Sequence, residues 1–189
     1  MFEIMRTKFK NKTKSPRRLN PIRQFVRRED GSAAVEFGAI LLPFMALVFA
    51  IMETALVFFA GQTLETAVAD SARLIMTGQA QTQALNQDTF KSAVCARIYG
   101  LFDCANGIYV DVKTFSSFAN VTMNKPVDAN GQLVNNFSYN PGGPTDIVVV
   151  RLFYQWPVYV SLMGLNLSDM SGQNRLLVAT AAFRNEPYQ

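Results

Sequence analysis

The chain has 189 residues, a formal net charge of +4 at pH 7 and no histidine. This length allows one domain of ordinary size with extensions. The missing histidine excludes Ser-His-Asp and Cys-His catalysis and removes the commonest metal ligand. The sequence also has no glycine-rich phosphate loop and no two carboxylates grouped as an acid–base pair. We therefore expect a protein that is not an enzyme, with no cofactor and no metal site.

The charge is distributed unevenly along the chain. Residues 1–30 contain ten lysines and arginines and carry a net charge of +7, whereas the remaining residues carry −3. A basic tail can bind nucleic acid, but this one directly precedes a long apolar stretch, so we assign it to membrane topology and expect no nucleic-acid partner. By the positive-inside rule, the N-terminus stays in the cytoplasm and the chain after about Gly61 is exported. With two prolines and no apolar periodicity, the leader is predicted to be mostly disordered.

The apolar stretch at residues 31–61 organises the rest of the chain. Sixteen uncharged residues separate Glu36 from Glu53; as a helix they span about 24 Å, and the apolar flanks lengthen this past the ~30 Å hydrocarbon core. A helix is the form that satisfies every backbone group inside lipid. We predict a membrane-spanning helix over residues 32–61, kinked at Pro43. Glu53 is expected to extend to the outer interface rather than to be buried against a partner.

Two other export routes fit the sequence poorly. The leader contains two pairs of adjacent arginines, Arg17-Arg18 and Arg27-Arg28, and such a pair is a feature of the twin-arginine export signal. Neither pair lies in a convincing motif for that route. A cleaved signal peptide has a shorter apolar region and a small-residue site after it, which this sequence lacks. Any cut is therefore expected before the span, leaving the helix on the mature protein.

Glu36 lies just inside the apolar edge, where a carboxylate is costly and suggests a function. If the chain were cut after Gly31, Ser32 would be the first residue and Glu36 the fifth, followed by Phe37. This arrangement resembles the cleavage signature of type IV prepilins and pseudopilins. The alternative is an uncleaved signal anchor whose Glu36 reaches the cytoplasmic headgroups.

Two helices are predicted from apolar spacing and capping. The helical pattern continues past the span with a polar face, so one helix is predicted from about Ala33 to Gln79, ending near Gly78. The capping residues at 86–88 begin a second helix, predicted to end near residue 101. Its apolar stripe consists of Phe90, Val94, Ile98 and Leu101.

After Cys104 the apolar period changes from 3.6 to 2, which is typical of strands. Three strands are predicted: residues 107–115, residues 145–156 ended by Pro157, and residues 173–185. In the first, Ile108, Val110 and Val112 alternate with Tyr109, Asp111 and Lys113 on the polar side. Residues 116–145 are predicted to form a long loop with room for a short hairpin, and residues 158–170 a short helix or turn. We predict an α+β fold, with an antiparallel sheet packed on the exported half of the long helix.

Cys95 and Cys104 are the only cysteines of the chain. On the exported side an even count indicates a disulfide, which would tie the second helix to the entry of the first strand. A metal pair or a redox pair is less favoured, because nine residues separate the two and no other ligands are near.

Taken together, the sequence resembles the TadE-like proteins, pseudopilins of the tight-adherence (Flp) type IV pilus assembly systems. The resemblance is carried by DGSAAVEF at the start of the helix, the LLPFMALVFA run, Glu53, and AVADSAR at residues 67–73. The cysteine pair and the C-terminal FRNEPY also fit. The family's usual Glu-x-Gly-Arg after the span is absent, and the chain has Glu53-Thr-Ala-Leu instead.

The resemblance implies a pilin-like α+β protein in the bacterial inner membrane. It divides the chain into a cleaved basic leader (1–31), a transmembrane helix (32–61) and a periplasmic domain (62–189). A prepilin peptidase is expected to cut between Gly31 and Ser32, with Glu36 and Phe37 serving processing and assembly. Other pseudopilins and the pilus assembly platform are the expected partners. An uncleaved periplasmic adaptor or scaffold remains the alternative, whereas major subunits of this pilus type are much shorter.

Overall fold

The computed structural model describes residues 31–98, 100, 102–122, 124–159 and 166–188. The chain divides into two compact units, Met1–Met45 and Ala46–Gln189, which we describe separately. The basic leader, Leu101 of the predicted apolar stripe and residues 160–165 lie outside the described residues. In the described part of the first unit, Gly31 leads directly into a helix. The sheet and the shorter helices belong to the second unit.

The long helix α1 spans Ser32–Met76 and contains Pro43. By length and composition, α1 can cross a membrane. It ends where Gly78 adopts a left-handed conformation, with φ of 77°, which a residue without a Cβ adopts readily. The predicted single helix ending near Gly78 is confirmed.

The second half of α1 supplies one wall of the core. From Val57 to Ile75, buried side chains recur every three or four residues, which places them on one face. Three of them are alanines, whose small side chains let the helix backbone approach the sheet closely. The buried residues between these ends are Ala60, Leu64, Ala67, Val68, Ser71 and Ala72.

Three antiparallel strands form the sheet in the order β1-β2-β3: β1 is Ile108–Phe115, β2 is Ile147–Pro157 and β3 is Asn174–Arg184. Val110 of β1 pairs with Leu152 of β2, which pairs with Ala179 of β3, and all three are buried in the core shared with α1. The α+β prediction and the antiparallel sheet are therefore confirmed. Each strand lies within two residues of its predicted bounds.

The helices between α1 and β1 are shorter than the sequence suggested. A single turn, α2 (Gln79–Thr82), follows α1, and α3 (Gln87–Cys95) begins with a capping box at Asn86. The prediction that this helix continues to about residue 101 is wrong. It stops at Cys95, because the disulfide reverses the chain there and the single turn α4 (Cys104–Gly107) packs back toward it. Ile98, beyond the helix, is nonetheless buried as predicted.

The face of the sheet opposite α1, called here the reverse face, is covered by the connection between β1 and β2. The ring of Phe137 stacks on Phe153 of β2 with centroids 5.1 Å apart. An isolated antiparallel bridge joins Val127 to Leu133, in keeping with room for a short hairpin. The predicted loop therefore packs against the reverse face, so the sheet has apolar contacts on both of its faces.

Candidate functional site

The exposed N-terminal end of α1 contains the residues of the predicted cleavage signature. Ser32 is the first helical residue, and its hydroxyl donates a hydrogen bond to Oε1 of Glu36 across 2.8 Å. Phe37 is 65% exposed. A Cβ built on Gly31 would meet no other atom within 4 Å. Among the described residues, nothing in the chain's own packing therefore requires a small side chain at position 31.

Most apolar side chains along the first part of α1 have no protein contact that buries them. Exposed apolar surface of this extent requires lipid or another protein. Pro43 lies within this surface and has no N–H to donate to the carbonyl of Ala39. The exposed residues are Val35, Phe37, Ile40, Leu42, Phe44, Met45, Leu47, Phe49, Ile51, Met52, Leu56, Phe58 and Phe59.

Glu53 marks the place where the domain begins to contact α1. It is only 7% exposed and accepts a hydrogen bond from the backbone N–H of Tyr159, just after β2. The expectation that Glu53 extends to the outer interface is therefore wrong. Burying a carboxylate without a hydrogen-bond donor is costly, and the backbone N–H of Tyr159 supplies a donor here. The donor lies 106 residues away in sequence. No local pattern identifies such a contact.

These features of α1 fall within one family match. Residues 31–73 match the TadE-like protein family. The match covers Gly31, Ser32, Glu36, Phe37 and Glu53 and confirms the predicted resemblance for this part of the chain. It spans less than a quarter of the 189 residues.

The TadE-like family suggests involvement in the tight-adherence pilus system. No match was found among curated proteins or among solved structures. The sheet and the C-terminal segment therefore have to be interpreted from their own geometry.

Beyond the TadE-like segment, a buried ion pair holds the reverse face of the sheet. Asp111 is 1% exposed and accepts hydrogen bonds from Nε and Nη2 of Arg151, the first across 3.1 Å. The backbone N–H of Ser138 also donates to Asp111, across 3.0 Å. Strand alternation correctly placed Asp111 on the polar side, but the β1–β2 connection covers that side. Losing either partner would leave an uncompensated buried charge.

The C-terminal segment closes the end of α1. The N–H of Glu186 donates to the carbonyl of Met76 across 2.8 Å, satisfying one of the helix's last carbonyls. The ring of Tyr188 lies against Gly78 so closely that an added Cβ would be 2.4 Å from it. The buried Asn185 donates to two carbonyls of the β1–β2 connection, across 3.0 and 2.9 Å. No local pattern predicts this arrangement, and the FRNEPY segment is singled out only by its resemblance to the TadE-like proteins.

Cys95 and Cys104 form the predicted disulfide, with Cα atoms 5.6 Å apart. It links the end of α3 to the start of α4. Closing so short a loop stabilises the fold by about 2–3 kcal/mol on the chain-entropy estimate. Within the described ranges, no three Cys, Asp or Glu side chains converge in a way that could hold a metal ion.

Proposed function

We propose that the chain is a minor, pseudopilin-like membrane protein that takes part in assembling a tight-adherence pilus. The observation that carries the proposal is the TadE-like match over residues 31–73. It coincides with the helix that is long and apolar enough to cross a membrane. The domain built on the end of this helix then supplies surfaces for the other subunits.

In this proposal, α1 anchors the protein in the bacterial inner membrane. The +7 leader stays in the cytoplasm, and the sheet domain lies in the periplasm. The exposed apolar side chains from Val35 to Met52 support this placement, because hydrocarbon gives them an apolar surrounding. Other pseudopilins and the proteins of the assembly platform are the proposed partners.

A prepilin peptidase is proposed to cut between Gly31 and Ser32. The cut creates an α-amine on Ser32, and because such amines have a pKa of about 7.7–8.0 it is largely protonated at neutral pH. The 2.8 Å hydrogen bond between Ser32 and Glu36 supports a pairing of this amine with the carboxylate, since it shows that Glu36 reaches residue 32. At the apolar edge of a bilayer, an unpaired charge of either sign is costly. Glu36 therefore neutralises the amine of its own chain or of a neighbouring subunit.

Two variants test the processing step. Gly31→Leu should block cleavage and leave the full-length chain in the membrane, whereas Gly38→Leu, one of the open helix positions, should be cut normally. The N-terminal sequence and intact mass of the purified protein give the answer. Met1 retained in wild-type cells that carry working pili would disprove processing and favour the uncleaved adaptor.

A third variant tests the role of Glu36 in assembly. Glu36→Ala should still insert and be cut, but cells should lose piliation, because the amine at position 32 then has no partner. Glu36→Gln keeps the side-chain shape without the charge and should fail in the same way. Normal pili in both variants would contradict the charge-pairing role while leaving the cleavage result standing.

A further inference from the structure

Among the residues that the structure describes, no strand pairs with the outer edge of β3. Leu176 donates its N–H to Oδ1 of Asp169 on the side away from β2, across 2.8 Å. Because backbone groups alternate in direction along a strand, Val178, Thr180 and Ala182 direct their N–H and C=O groups to the same outer side. No described residue lies in hydrogen-bonding contact with these groups. Within the described part of the chain, three consecutive ladder positions are therefore open.

This edge also lacks the usual protection against pairing. Natural edge strands carry charges, prolines or bulges, or are covered by another segment. Between Leu176 and Phe183, β3 has no charge and no proline, and its pairing with β2 is continuous. At the other edge of the sheet, Val112 exchanges hydrogen bonds of 2.7 and 2.9 Å with Ser138 and Asn140. One edge of the sheet is thus covered and the other is open.

Two cavities meet at Val178, one on each face of the sheet. On the α1 side, a cavity of about 400 Å³ is lined by Val57, Phe58 and Leu177 among others. On the reverse face, a cavity of about 250 Å³ is lined by Phe153 and Thr180 among others. Successive side chains of a strand point to opposite faces. A strand added to this edge would therefore place neighbouring side chains in the two cavities.

The direction of β3 excludes a symmetric pairing with a second copy. The start of β3 shares a cavity wall with Thr54 and Val57, and its continuation reaches Met76 through Glu186, so β3 runs in the same sense as residues 54–76 of α1. A two-fold axis that pairs two β3 strands antiparallel would point their helices in opposite directions. Copies inserted in one membrane have parallel helices, so they cannot pair in this way. This step rests on the proposed membrane anchoring, whereas the open edge does not.

The charges of β3 indicate what the added strand should carry. Arg175 and Arg184 stand near the two ends of the strand, and β3 contains no acidic residue. We propose that the outer edge of β3 binds an extended segment of a different polypeptide, with an apolar side chain for the α1-side cavity and an acidic residue opposite Arg184. Main-chain hydrogen bonds supply the affinity in this mode, and the alternating pockets supply the specificity.

Photo-crosslinking of the full-length chain in its own cells tests the proposal. A p-benzoylphenylalanine placed at Ala182 should form an adduct whose attachment sites map to one extended stretch of another polypeptide. Thr180→Pro removes an outward N–H that β2 does not use, so the adduct should be lost. Thr180→Val is the matched control, because it keeps the N–H and should retain the adduct. The accumulation and unfolding midpoint of both variants are measured in parallel.

Several results would overturn the proposal: no adduct, an adduct that survives Thr180→Pro, or an adduct that maps to lipid or to β3 of a second copy. If Thr180→Pro fails to accumulate, residue-resolved amide exchange of the wild-type chain decides. Val178, Thr180 and Ala182 should exchange slowly in native membranes and quickly in the detergent-purified chain, and equal rates would refute strand addition. Pili are not the readout here, so failure of the pilus role and failure of the β3 edge are distinguishable.

Discussion

At the residue scale, α1 contains two glutamates in opposite situations. Glu36 is exposed and accepts a hydrogen bond from the hydroxyl of Ser32, one turn away. Glu53 is buried and accepts a hydrogen bond from the backbone N–H of Tyr159, 106 residues away in sequence. The first carboxylate is therefore available to another chain, and the second fastens the helix to its own domain.

Replacing Glu53 should weaken the domain rather than the anchor. Glu53→Ala removes the acceptor of the Tyr159 N–H, and a hydrogen bond to a charged group contributes about 1.5–3 kcal/mol. Glu53→Gln keeps an acceptor oxygen at this site and should cost less. Urea unfolding of the full-length chain in detergent micelles measures both. A Glu53→Ala midpoint equal to that of the wild type would show that the contact contributes nothing.

Tyr139 should make stability depend on pH in the alkaline range. Burial raises the pKa of Tyr139 from 10.0 to about 12. Between these values the unfolded chain has lost the phenolic proton while the folded chain keeps it, so the free energy of unfolding falls as the pH rises. Below pH 10 both states are protonated and this contribution is constant.

Tyr139→Phe is the matched variant for this effect. It should remove the contribution of Tyr139 to the alkaline loss of stability, whereas Tyr188, whose pKa burial also raises, still contributes. Stability at neutral pH should be unchanged or higher, since the buried hydroxyl of Tyr139 has no hydrogen-bond partner among the described residues. Unfolding midpoints and tyrosinate absorbance across the alkaline range measure both results. A large loss of stability at neutral pH in Tyr139→Phe would argue against this interpretation of the hydroxyl.

At the element scale, the junction after α1 depends on one backbone conformation. Gly78 turns the chain out of the helix with a positive φ, and Tyr188 fills the space beside it. Glu186 bonds the last turn of the same helix. The end of α1 and the segment that follows β3 therefore meet at this junction.

Two glycine substitutions compare how a change at this junction and a change in the helix interior affect the stability of the domain. A residue with a Cβ in the left-handed conformation costs roughly 1–2 kcal/mol of stability. Gly78→Ala should destabilise the domain by more than this, because the ring of Tyr188 must also move. Gly61→Ala, inside α1 with open space around it, should stabilise the helix by up to about 1 kcal/mol. Thermal unfolding compares the two. Equal midpoints for both variants would rule out a special role for Gly78.

At the scale of the whole molecule, the charge asymmetry and α1 together make a prediction about orientation. Alkaline phosphatase fused after Gln189 should be active, because this reporter needs the periplasm, and a cytoplasmic reporter at the same place should be inactive. The +7 leader sets this outcome. Neutralising the five basic residues nearest the span should reduce the fraction of correctly oriented chains, and the opposite reporter pattern in the wild type would reject the topology.

How much of the fold the sequence predicts depends on the range of the interaction. The extent of α1, the three strands and the Cys95–Cys104 pair follow from local periodicity, turn residues and a cysteine count. The early end of α3 does not, because a covalent bond to Cys104 overrides a helical pattern that continues past Cys95. The burial of Asp111 depends on a loop that packs onto a strand it follows in sequence.

The candidate site divides in the same way. Gly31, Ser32, Glu36 and Phe37 form a short motif within seven consecutive positions, so their arrangement follows from the first two turns of α1. The contact of Glu53 joins residues 106 positions apart, and both this contact and the open edge of β3 exist only after the sheet has formed. Pairings of this kind leave no periodic signal in a single sequence.

The C-terminal position of β3 has a consequence for how the protein is made. Because β3 and the residues that close α1 follow β2 in sequence, the sheet is complete only after residues 174–186 have been synthesised. A chain stalled before residue 174 would leave one edge of β2 without its partner strand. A protease that recognises unpaired strand edges can therefore distinguish copies that contain residues 174–186 from copies that lack them.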